Sequence, residues 1–250
     1  MDPEKPDSTP ILSILICSLE SRRELLHQLL ASLYAQTKYL SNPGDVEVLY
    51  LVDSKEITVG EKRNKLLDFS KGKYVVFVDD DDRVSGDYVS LILEAAKSNP
   101  DAIGITGIIT WDLKNPKMFR HSLDYGKECP TIDNVYNKPP YHVCPIRSTI
   151  AKSHRFPEIS YGEDAQWSGS LYSEIKTCAT IPVPIYFYDF RFSKSETQRK
   201  NIGPITEAPK SKPVNKVIPS KAPIPRINKM RPPGIVARHR HFNNNVIKRS

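Results

Sequence analysis

Four consecutive aspartates, Asp79, Asp80, Asp81 and Asp82, close a run that reads Lys73-Tyr74-Val75-Val76-Phe77-Val78. A short continuous apolar run of this kind fits a strand buried on both faces, as in a parallel sheet. Carboxylates repel one another, so folding alone gives no reason to cluster them where such a strand ends. A hard divalent cation does, because Mg²⁺ and Mn²⁺ prefer oxygen ligands. The C-terminal ends of strands in open α/β sheets are also where ligands bind. An acidic run standing alone reads as a solvated turn; the strand in front of it turns the reading towards a site.

The rest of the body alternates strand and helix. Ile11 to Cys17 is a second buried-strand run, and Ser21-Arg22-Arg23-Glu24 has capping-box spacing for a helix striped by Leu25, Leu26, Leu29, Leu30 and Leu33. Asn42-Pro43-Gly44 breaks the chain before a strand at Val46 to Val52 that ends in Asp53. A helix is expected from near Gly60 to a Gly72 cap, another over Ser85 to Ser98, and a strand over Ala102 to Trp111. Residues 112–145 read as loops with a short hairpin, Ala165 to Ile175 as a helix, and Thr177 to Phe192 as an extended segment with Pro182 and Pro184 at an edge or bulge. The order predicts an α/β fold: a Rossmann-like, mostly parallel, doubly wound sheet with helices on both faces.

Charge divides the chain. The total is +7, yet residues 195–250 hold 13 Lys/Arg against 2 Asp/Glu, and 8 of the 21 prolines. Residues 1–194 hold 23 basic and 27 acidic residues. The expected organisation is an N-terminal extension over 1–10, one α/β domain over 11–194, and an extended basic, Pro-rich tail over 195–250. Such a tail suits a polyanionic partner: nucleic acid, an anionic membrane or an acidic protein. No stretch approaches the roughly 20 apolar residues of a membrane span. Cys17, Cys129, Cys144 and Cys178 show no CxxC spacing, and the N-terminus is polar, so free thiols in a reducing, cytoplasmic setting are expected.

Taken together, five elements resemble the family 2 glycosyltransferases of GT-A fold over roughly residues 10–192. They are the first strand; Asp53 at the end of the second; Gly60-Glu61-Lys62-Arg63-Asn64; Phe77-Val78 with Asp79 to Asp82; and Gly162-Glu163-Asp164 with Trp167. The resemblance implies a sugar transferred from a nucleotide-sugar, a UDP-sugar, to an acceptor hydroxyl with inversion, assisted by Mn²⁺ or Mg²⁺. The acceptor class, whether glycan, protein or modified nucleic acid, stays open. Two other classes stay open beside it: a non-catalytic nucleotide- or sugar-binding module of the same fold, and a Mg²⁺-dependent nucleotidyltransferase. The latter would need a glycine-rich phosphate loop after the first strand, and Ser18-Leu19-Glu20-Ser21 is not one.

Roles follow from the resemblance. Asp53 would bind the uracil or ribose. Lys62, Arg63 and Asn64 sit at a helix start, where the two basic residues oppose the helix dipole and so ask for an anionic neighbour, which a donor diphosphate would supply. Asp79-Asp80-Asp81 matches the DxD triplet, with Asp80 variable, Asp79 near ribose or a metal-bound water, and Asp81 on the metal; Asp79 and Asp81 are thus the metal candidates. The family's late histidine ligand has no counterpart in Tyr188-Asp189-Phe190-Arg191-Phe192-Ser193. Asp164 would be the general base and Glu163 would bind the acceptor. Trp167 would either stack on a sugar face or sit in the core, and His142, close to Arg147, is a further candidate at the diphosphate or acceptor.

Overall fold

The computed structural model describes residues 9–190. Most of the expected N-terminal extension and the whole basic tail lie outside the described residues. The sheet strands are β1 (Leu12–Leu19), β2 (Val46–Asp53), β3 (Tyr74–Phe77), β4 (Arg83–Val84), β5 (Ala102–Trp111), β6 (Lys114–His121), β7 (Thr131–Ile132), β8 (Val135–Lys138), β9 (Ile146–Arg147) and β10 (Cys178–Phe190). The helices are α1 (Arg23–Thr37), α2 (Val59–Phe69), α3 (Tyr88–Ala96), α4 (Ser148–Ala151) and α5 (Glu163–Leu171). The strands join in the order β2-β1-β3-β9-β5-β6-β8-β7, and β10 pairs with β5 and β4.

The sheet is mixed but parallel where the aspartates emerge. β1 lies between β2 and β3 and is parallel to both. β1 and β3 send alternate residues to opposite faces, as the period of two requires. Leu12, Ile14, Ile16, Tyr74, Val76 and Val78 join one core, which includes the inner faces of α1 and α3. Leu15, Val75 and Phe77 join the other, with Leu66 and Leu67 of α2 and Trp167 and Leu171 of α5. Helices therefore cover both faces, the doubly wound arrangement expected from the alternation of elements.

Two local expectations change. Ser21 does not cap α1: Glu20–Arg22 forms a 3₁₀ turn and no side chain caps the helix. The capping box belongs to α2, where the Thr58 hydroxyl accepts from Glu61 N at 3.1 Å and Glu61 reaches back to Thr58 N at 3.3 Å. The region after Trp111 is more regular than its Pro, Asn and Tyr content suggests, because β6 turns back antiparallel on β5 and carries β8 and β7 beyond it. The extended segment after Thr177 is β10, which runs parallel to β5 along its length, and the bulge foreseen for its prolines is present as register shifts on either side of Pro184. Those irregularities let the sheet tolerate the missing proline N–H. The cysteines of the described chain are free thiols, and desolvation pushes the pKa of the half-buried Cys17 and of the buried Cys144 up to about 12. No helix among the described residues is long and apolar enough to cross a membrane.

Candidate active site

The C-terminal ends of β1, β2 and β3 meet α2 and the start of α5, and nearly every charged group singled out in the sequence gathers there. The four aspartates have four different environments. Arg63 donates to Asp79 from Nη2 at 3.1 Å, and His142 Nε2 lies 3.5 Å from its other oxygen. Burial works against the Asp79 carboxylate, but Arg63 and His142 outweigh it and hold its pKa well below the usual carboxylate range. Asp80 is 3% exposed, accepts from the Ser18 hydroxyl at 2.6 Å and pairs with Arg22 at 2.7 Å. Burial still dominates there and pushes its pKa up from 3.8 to about 6. Asp81 is 37% exposed and pairs with the same Arg22 nitrogen at 2.5 Å. Asp82 is buried and accepts from the Tyr186 hydroxyl at 2.6 Å, and burial with repulsion from Asp79 and Asp81 raises its pKa well above the ordinary value.

The basic residues of α2 do find anionic neighbours, but these are the protein's own carboxylates. Lys62 is buried, forms an ion pair with Asp53, and donates to Ser18 O at 3.1 Å. Asp53, equally buried, also accepts from Ile57 N at 3.2 Å. Both charges are thus matched inside the protein, as buried charges must be. Arg63 divides its fork between Asp79 and Glu163, with Nε 3.2 Å from the Glu163 carboxylate, and lies against the Phe77 ring at 4.9 Å. Asn64 faces no ligand. Its amide donates to Phe156 O and accepts from Phe156 N, each at 2.9 Å, pinning the segment that leads to α5.

That pinning places the acidic pair. Gly60 N donates to Ile159 O at 3.0 Å, and a Cβ on Gly60 would lie 1.9 Å from Pro157 O, so only glycine permits this approach. Gly162, at φ +78°, turns the chain into α5. Glu163 points inward and is buried against Arg63, which takes it away from the acceptor role expected of it. Asp164, 27% exposed, faces the groove, and His142 Nδ1 lies 3.6 Å from it. His142 thus sits between Asp79 and Asp164, buried and with neither ring nitrogen hydrogen-bonded within the chain. Tyr141, which sequence reasoning passed over, hydrogen-bonds to Asp164; its pKa rises through burial and that neighbouring carboxylate. Only its place beside His142 in the sequence pointed to it. Trp167 is 1% exposed and stacks on Phe156 with centroids 4.4 Å apart, so it is a core residue and not a sugar platform.

Two cavities flank the aspartates. One of about 220 Å³ lies past the ends of β1 and β2, lined by Leu19, Glu20, Ser21, Ser54 and Lys55. The other, about 230 Å³, is lined by α1 and by Asp80, Asp81 and Asp82. Among the described residues no three His, Cys, Asp or Glu side chains converge as a finished cation cage. The donor set suits a cation of another kind. Mg²⁺ is commonly held by one or two carboxylates and completes its shell with phosphate oxygens and water. Asp81, the most open carboxylate after the strand apart from the neighbouring Asp79, meets that description.

The comparisons agree with this architecture. Residues 38–156 match the family model described as Glycosyl transferase family 2. The match spans the motifs from Asp53 to Asp82 that carried the family resemblance, and the mixed, mostly parallel sheet is consistent with the GT-A fold. Among solved structures, S. aureus TarS 1–349 superposes with a TM-score of 0.52 at 16% identity, covering 71% of this chain and 60% of that one. The same protein in complex with UDP-GlcNAc gives 0.51 at 14% identity, covering 77% and 61%. The chain thus spans about 60% of the length of these structures. No curated protein matches it in sequence.

Proposed function

We propose that the domain transfers a sugar from a nucleotide-sugar, a UDP-sugar, to an acceptor hydroxyl with inversion at the anomeric carbon. The observation that carries this reading is His142 set between Asp79 and Asp164, with Asp81 two residues beyond Asp79 at the end of the same strand. The family match over residues 38–156 supports it, as does TarS having been solved with UDP-GlcNAc and with UDP.

The residues divide the work. The cavity past β1 and β2 suits the nucleoside, with Asp53 and Lys62 fixing its floor from beneath. Asp81, with Asp79 beside it, would hold Mn²⁺ or Mg²⁺. The cation, when bound, neutralises charge on the leaving diphosphate. Asp164 takes the proton of the acceptor hydroxyl as that oxygen bonds to the anomeric carbon, while the bond from that carbon to the phosphate oxygen breaks and the nucleoside diphosphate departs. Glu163 positions Arg63, and Arg63 holds Asp79 ionised. Tyr141 and His142 orient the Asp164 carboxylate.

The test is product analysis. Purified protein is incubated with UDP-GlcNAc and Mn²⁺, and phosphorus NMR identifies what is released. UDP supports glycosyl transfer. Pyrophosphate released in a parallel incubation with UTP, GlcNAc-1-phosphate and Mg²⁺ would instead make the protein a nucleotidyltransferase, and binding of UDP-GlcNAc with neither product released would make it a binding module.

A further inference from the structure

We propose that Arg22 is a binding residue for the donor's diphosphate, held in the ligand-free protein by Asp80 and Asp81 and transferred to phosphate oxygens when the donor enters with its cation. The proposal rests on the nucleotide-sugar reading above.

One guanidinium nitrogen of Arg22 serves both carboxylates, at 2.7 Å from Asp80 and 2.5 Å from Asp81. The two are not equivalent. Asp80 is enclosed and also held by Ser18, whereas Asp81 is open and Arg22 is its ion-pair partner. A guanidinium has five N–H donors in a planar fork. Arg22 uses Nη2 alone in these ion pairs and keeps about a quarter of its side chain exposed. A guanidinium with free donors at the mouth of a groove matches the geometry of phosphate better than that of any neutral ligand.

Its place in the chain gives the ligand a direction. Glu20 and Ser21 line the first cavity and Leu25 lines the second, so Arg22 stands between the space beyond β1 and β2 and the space beside the aspartates. A nucleoside in the first cavity whose diphosphate runs towards Asp81 must pass this side chain. Without ligand, Arg22 supplies positive charge to aspartates that would otherwise repel one another. A divalent cation at Asp81 would meet that charge head on. The diphosphate resolves the conflict by giving the guanidinium new acceptors. Cation and nucleotide should therefore bind far better together than the cation does alone.

The experiment uses full-length protein and two binding readouts: electron paramagnetic resonance of Mn²⁺ alone, and calorimetry of UDP in the presence of Mn²⁺. In Arg22→Gln, affinity for Mn²⁺ alone should rise and affinity for UDP should fall, each by about tenfold, the scale of one charge-assisted contact. Opposite signs exclude general damage, which would weaken both. Arg22→Lys keeps the charge without the fork; it should bind Mn²⁺ as weakly as wild type yet still lose UDP affinity, and it serves if the glutamine variant fails to fold. Wild-type UDP affinity retained by both variants would overturn the proposal while leaving the nucleotide-sugar reading intact. Failure of the wild-type protein to bind UDP would overturn that reading, and the role of Arg22 with it.

Discussion

Arg63 and Glu163, one hundred residues apart in the chain, form a buried ion pair 3.2 Å long beneath the candidate base. The pair ties α2 to the first residue of α5, and the same guanidinium reaches Asp79. One side chain thus links the end of β3 to the start of α5.

Removing that guanidinium should be costly. Arg63→Met leaves the buried Glu163 carboxylate unpaired, which typically destabilises a protein by about 3–5 kcal/mol. Urea unfolding at pH 7 measures it. The acid limb should change too. A carboxylate whose pKa is depressed on folding contributes stability that is present above its unfolded value and lost as pH falls through the folded one. Asp79 is such a group because of Arg63, so the variant should lose that acid-labile contribution. Unchanged stability and an unchanged acid limb would show that the pair has no structural weight.

Asp80 should act in the opposite sense. Its pKa rises from 3.8 to about 6 on folding, so between those values the folded state keeps a proton that the unfolded state has lost. Stability contributed by this group therefore declines as pH rises across the window. Asp80→Asn should be more stable than wild type at pH 7, by about 3 kcal/mol at most, and the gap should close near pH 4. Denaturation midpoints at pH 4, 5, 6 and 7 decide it; a constant gap would mean that the side chain does not titrate there.

Asp164→Asn should slow sugar transfer by at least ~100-fold, the low end for a general base. UDP affinity should stay within about twofold, because the residue does not line the cavity proposed for the nucleoside. Initial rates and calorimetry on the same preparation check both. Near-normal turnover would remove Asp164 from the proposed mechanism.

Trp167 should behave as a core residue. Trp167→Ala removes the ring stacked on Phe156 and edge-on to Phe77, and should cost about 3–5 kcal/mol. Trp167→Phe should retain most of that stability, and its KM for acceptor should match wild type. A large rise in acceptor KM with stability unchanged would restore the sugar-stacking role that burial argues against.

The parts of the fold legible in the sequence are those where one period dominates. β1 and β3 are buried on both faces and spell continuous apolar runs, and α1 carries its leucine stripe. Strands beyond Trp111 are short or half-exposed, and their pairing is set by partners distant in the chain, so residues such as Lys114 and Asn137 gave no periodic signal. The aspartates, Arg63 and Asp164 were legible through motif spacing. What their neighbours do was not. Glu163 and Asp164 are adjacent and both acidic, and only the turn at Gly162 and the reach of Arg63 decide which one is buried. Arg22 had no signal, since its carboxylates follow the neighbouring strand β3, about 60 residues on, and its own 3₁₀ turn reads as a helix cap.

The close approach of Gly60 to Pro157 and Ile159 sets how this enzyme-like scaffold could diversify. The segment presenting Asp164 is keyed to the helix that holds Arg63, at a distance where a single methyl group does not fit. Inserting or deleting residues between 157 and 162 would shift the acidic pair and Arg63 together, so the groups around Asp164 cannot be rearranged there by changing loop length. Variation has to come from side chains that project without moving the backbone. Tyr161, 60% exposed beside Gly162, is the natural position for it.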